Sequence, residues 1–65
     1  MPIITIESGK LEQDIKTELI RQLTETAVKV TGIRPGAFTI LIHENEHDNI
    51  GIGGQLFSEY LAGKD

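Results

Sequence analysis

The residue with the most chemistry to offer is Pro2, second in a chain of 65. Removal of Met1 makes Pro2 the amino terminus. Its nitrogen then becomes a secondary amine in a rigid ring with fixed φ. A free α-amino group titrates near ~8. An apolar pocket or a nearby cation lowers that value by disfavouring the charged form. An amine neutral near pH 7 takes and returns a proton, which is the work of a general base. With Met1 retained, the same nitrogen is an amide without usable basicity, and Pro2 is only a proline at the tolerated start of an edge strand.

A proton-transfer site for an anionic substrate also needs cations. The chain has six: Lys10, Lys16, Arg21, Lys29, Arg34 and Lys64. Lys16, Arg21 and Lys29 fall in a helical periodicity and read as its solvated face. Lys10 and Arg34 fall in loops at element ends, where binding residues concentrate. Each also reads as an ordinary surface charge. Two further patterns bear on chemistry. His43-Glu44-Asn45-Glu46-His47 spells H-E-x-x-H, but that motif works on a helix, which sets both imidazoles on one face. Here His43 ends a β-branched run, and Asn45, Asp48 and Asn49 favour a turn, so no metal site is expected. Gly51-Ile52-Gly53-Gly54 lacks the Gly-Lys-Ser/Thr ending of a phosphate loop and reads as a turn or short hairpin. There is no cysteine, hence no thiol nucleophile and no disulfide. No Ser/His/Asp pattern stands out.

The elements that would position these residues follow from periodicity. Ile3 to Ile6 is a β-branched run and predicts a strand. From Leu11 the period changes. Leu11, Ile15, Leu19, Leu23, Ala27 and Val30 recur at three- and four-residue steps, predicting an amphipathic helix of about 18 to 20 residues. Ser8 is the candidate N-cap. Glu12 and Asp14 sit near the positive end of the helix dipole and Lys29 near the negative end. Gly32 suits an αL stop, and Pro35 follows it. Phe38 to Ile42 predicts a second strand. Leu56, Phe57, Tyr60 and Leu61 fit either a short helix or a packed tail.

Strand, helix, strand is a βαβ unit with parallel strands and a right-handed crossover. Parallel strands place Pro2 and the start of the second strand at one end of the sheet, which brings Arg34 toward Pro2. Both strands are nearly continuous apolar runs, so both faces of the sheet should be covered. One helix covers one face, and two strands are too few for a stable sheet in water. An obligate oligomer follows. The net charge of −4 argues against nucleic acid or an anionic membrane as partner. No run approaches transmembrane length. The expectation is one domain over residues 1–65 in a soluble, cytoplasmic protein.

Taken together, Met1-Pro2-Ile3, a strand closing at Gly9-Lys10, Leu19-Ile20-Arg21 in the helix, a Pro35-led second strand and Gly51-Ile52-Gly53-Gly54-Gln55-Leu56 resemble the 4-oxalocrotonate tautomerase family. The match runs over nearly the whole chain. The resemblance implies an α/β (α+β) fold: a β-α-β unit with parallel strands and a C-terminal hairpin, its sheet completed by dimerisation. It implies a homo-oligomer built of dimers, usually a homohexamer. It implies a cofactor-independent isomerase in which Pro2 moves a proton between an enol oxygen and a carbon of a small 2-oxo acid. Lys10 and Arg34 would hold the carboxylate or polarise the carbonyl. The well-studied members carry an arginine in the loop after the first strand, where Lys10 stands nearest in a loop of different length, a second where this chain has Thr39, and an aromatic residue where it has Ile50. Lysine lacks the planar fork that grips a carboxylate twice, Thr39 brings no charge, and Ile50 keeps the pocket wall apolar. A related but different substrate is expected. Two other readings stay open: the same proline acting as an acid in hydration, dehalogenation or decarboxylation, and a non-enzymatic oligomerisation module.

Overall fold

A computed structural model describes residues 1–63 of the chain, and Lys64 lies outside them. The order is β1 (Ile3–Ser8), α1 (Gln13–Thr31), a 3-10 turn (Pro35–Ala37), β2 (Thr39–Glu44), a second 3-10 turn (His47–Asn49), β3 (Gly51–Ile52), β4 (Gln55–Leu56) and α2 (Phe57–Ala62). β1 and β2 pair in parallel, with Ile3 beside Thr39 and Ser8 beside Glu44. β3 and β4 form a separate antiparallel hairpin. The fold is thus the expected β-α-β unit with a C-terminal hairpin, mixed α and β.

The predicted helix is present, 19 residues long. Its stop is the expected one: Gly32 takes φ 76° and its N–H donates to the Val28 carbonyl. A side chain at that φ is strained, so Gly32→Ala should lower stability by about 1 kcal/mol in a denaturant titration. The start differs from expectation. Ser8 does not cap α1. It stays in β1, and its carbonyl accepts the Asn45 N–H at 2.8 Å. Glu12 precedes the helix and makes no side-chain cap bond. The connection is instead held from β2. Glu44 Oε2 accepts the Leu11 N–H at 2.8 Å and lies 3.4 Å from Lys16 Nζ. β2 also runs to Glu44 rather than ending at Ile42, because the register with β1 continues through Glu7 and Ser8.

The Leu11 N–H, with help from the Lys16 charge, holds the Glu44 carboxyl below the usual carboxylate range. A depressed carboxyl contributes stability above its unfolded pKa of ~4.3 and loses it as pH falls through the folded value. Glu44→Gln should therefore melt lower than the parent at neutral pH. The two melting curves should converge below about pH 3, where the parent carboxyl is protonated too.

The hairpin turn is Gly53-Gly54, with φ 60° and 86°. Positive φ at both central residues is the type I′ geometry whose twist matches paired strands. The ambiguous tail is a helix. Phe57 anchors it, edge-on to His47 at 5.0 Å between ring centroids and stacked on Tyr60 at 6.1 Å. The Phe57 N–H donates to the Ile50 carbonyl at 2.7 Å. Ser58 Oγ donates to Asp48 at 2.8 Å.

α1 packs on one face of the sheet, over Ile4, Ile6, Ile40 and Ile42. The other face, carrying Ile3, Thr5, Glu7, Thr39, Leu41 and His43, is uncovered, and Ile3 remains 54% exposed. No described residue is fully buried in the single chain. A folded monomer of 7.2 kDa should expose roughly 4,100 Å², whereas this chain exposes 5021 Å². Its radius of gyration is 15.6 Å, against about 11 Å for a compact chain of this length. One copy has elements but no core. No described helix is long and apolar enough to cross a membrane.

Candidate functional site

Pro2 sits half-buried just before β1, with Met1 extended into solvent. Its carbonyl accepts the Thr39 N–H at 3.0 Å, which ties the ring to the first residue of β2. The turn before β2 closes through Ala37 N–H to the Arg34 carbonyl and Phe38 N–H to the Pro35 carbonyl, both 3.1 Å. Pro2, Thr39 and Arg34 therefore share one end of the sheet, as parallel pairing required.

Lys10 and Ile50 lie at the other end. Lys10 is eight residues beyond Pro2 along an extended chain, about 26 Å at the usual strand rise. It is exposed and ion-paired to Glu46 at 2.9 Å, and that carboxylate raises the lysine pKa. Ile50 follows the second 3-10 turn, its N–H donating to the His47 carbonyl. Within one chain, two of the five candidates thus cannot meet Pro2.

Charge divides along the same axis. Residues 1–6 and 26–42 carry only Lys29 and Arg34 as charged side chains. The opposite end gathers Glu7, Glu12, Asp14, Glu44, Glu46 and Asp48 around Lys10 and Lys16. The Lys10 end is acidic on balance, whereas the Pro2 end is sparsely charged, with the Arg21–Glu25 ion pair sharing a hollow with Pro35.

The H-E-x-x-H residues separate. His43 is in β2 and its Nδ1 lies 2.7 Å from Glu7 Oε2. His47 is in the second 3-10 turn against Phe57. Among the described residues no group of three or more His, Cys, Asp or Glu side chains is placed to hold a metal ion.

The structure adds an array that spacing alone left unread. Asn45 Nδ2 donates to Glu7 Oε1 at 3.1 Å while His43 binds the other oxygen. Those two bonds, the Asn45 one foremost, hold the Glu7 carboxyl below its ordinary range. The strand register makes the array: the offset of 36 that pairs Ile3 with Thr39 also pairs Glu7 with His43.

Comparisons with known proteins fit this architecture. The family described as tautomerase enzyme matches residues 2–60. No curated protein sequence matches the chain. Among solved structures, DmpI from Archaeoglobus fulgidus is 37% identical with a TM-score of 0.79, over 88% of this chain and 98% of that one. A 4-oxalocrotonate tautomerase homologue is 28% identical with a TM-score of 0.85, over 91% and 95% of the two chains. TomN, a homologue in the tomaymycin biosynthetic pathway, is 21% identical with a TM-score of 0.89 over 95% and 97%, a likeness of fold alone. With nearly its whole length matched and the β-α-β-hairpin order in place, this chain belongs to the tautomerase enzyme family.

Proposed function

We propose that this protein, once freed of Met1, is a cofactor-independent tautomerase that ketonises enol or unsaturated 2-oxo acids, with Pro2 as general base. The observation that carries the reading is the placement of Pro2. Pro2 stands half-buried just before β1, at the end of the sheet that also holds the Arg34 turn. A cation at this end and partial dehydration both disfavour a protonated amine. A neutral ring nitrogen accepts the enol proton, and the same nitrogen, then protonated, delivers it to carbon.

Arg34 serves the carboxylate end of the substrate. Lys10 and Ile50 join the site from an antiparallel neighbour, as cation and apolar wall. The site is thus proposed to be complete only in a homo-oligomer built from dimers.

The test joins two measurements. The intact mass of the native protein should lack Met1, and the terminal nitrogen should titrate below ~8. The rate on an enol 2-oxo acid should then rise with pH through that pKa. A rate that falls through it assigns Pro2 the acid role of a hydratase, dehalogenase or decarboxylase. Retained Met1 in the native protein leaves only a self-associating scaffold.

A further inference from the structure

We propose that a second copy of this chain covers the bare face of β1 and β2, and that covering it takes up a proton at His43, so that assembly tightens as pH falls. The array at one end of that face carries the inference. His43 Nδ1 lies 2.7 Å from Glu7 Oε2, and Asn45 Nδ2 donates to the other carboxylate oxygen at 3.1 Å. In the single copy this pair is open to water, the two side chains 54% and 66% exposed.

The area left open names the occupant. This copy exposes 5021 Å² against roughly 4,100 Å² for a folded monomer. The excess is close to the ~800 Å² that each partner gives to a stable interface. A small chain without a core needs its cover at all times, and a further copy supplies it. The face suits its own kind: Ile3, Thr5, Thr39 and Leu41 carry no charge, and Glu7 and His43 are its titratable residues. Glu7 faces His43 from β1, and Asn45 joins them from the end of β2. The nearby charges are engaged elsewhere. Glu44 meets Leu11 and Lys16 on the α1 side, and Lys10 pairs with Glu46.

Burial decides the protonation state. With a neutral imidazole, covering the pair buries one uncompensated negative charge per copy, which is costly. With an imidazolium the pair is neutral overall and its hydrogen bond is charge-assisted. The proton comes from solvent on assembly and returns to it on dissociation. A complex that holds more protons than its free copies is stabilised on the acid side and weakens as pH rises through the titration of the assembled ring.

Sedimentation velocity over a dilution series of the full chain reads the association constant. Between about pH 6 and pH 8, where histidine changes charge, it should fall by about 3- to 10-fold per copy. His43→Gln should abolish that dependence. Glu7→Gln should reverse it, because a buried imidazolium then has no anion. His47→Gln should keep the parent's dependence, since His47 lies against Phe57 in the second 3-10 turn. An association constant that does not change over this range overturns the proposal, as does an undiminished dependence in His43→Gln or a folded monomer at every concentration. Where His43→Gln does not assemble, the parent decides by dilution calorimetry in two buffers of different ionisation enthalpy. Dissociation should release protons, and a heat independent of the buffer overturns the proposal. These readouts follow assembly and do not depend on the chemistry of Pro2.

Discussion

Pro2→Ala should lower kcat on an enol 2-oxo acid by about 10²- to 10⁴-fold, the usual worth of a positioned base. Thermal melting and assembly should be unchanged. The separation is expected because Pro2 contributes to the fold through its carbonyl, which accepts the Thr39 N–H, and alanine keeps that carbonyl. What alanine loses is the ring: the secondary amine and the fixed φ that aims it. Steady-state turnover alongside a melting curve checks this. A full rate with alanine at position 2 would remove Pro2 from the chemistry and leave the fold assignment standing.

Leu41→Asp should break the assembly and unfold the chain. Leu41 sits centrally on the uncovered face, between Thr39 and His43 in β2 and beside Thr5 of β1. In a single copy it is already 42% exposed, so an aspartate there would cost an isolated chain little. In an oligomer that covers this face, the carboxylate is buried with Glu7 nearby and His43 already bound to it. An uncompensated buried charge of that kind costs about 3–5 kcal/mol per site. For a chain in which no described residue is fully buried on its own, losing the partner means losing the fold. Sedimentation velocity and circular dichroism should show a smaller, unfolded species. A variant that keeps the parent's size and melting point would mean that this face is not an interface.

These two variants probe different parts of what was legible in the sequence. The local elements were legible because short-range physics sets them. β-Branched runs made β1 and β2, the three- and four-residue spacing from Leu11 made α1, and Gly32 ended it. Paired glycines at positions 53 and 54 allowed the hairpin turn. Parallel pairing followed from the order strand, helix, strand, and it carried Arg34 and Thr39 to the Pro2 end.

The start of α1 was not legible. Its holding group, Glu44, is 33 residues away from Leu11, and no local pattern announces a bond of that range. Nor was the bonding of Glu7, His43 and Asn45, which needed the strand register before it could be seen.

Amino-acid order alone therefore determined the elements and their parallel pairing, and singled out Pro2 as the candidate base. Three-dimensional structure decided which candidates share an end. It parted Lys10 and Ile50 from Pro2 by the length of a strand and gathered Glu44 and Glu46 beside Lys16 and Lys10. It also left a whole sheet face without cover. The reason is that strand direction and register convert sequence separation into distance, and residues far apart in the chain become neighbours only once that conversion is made.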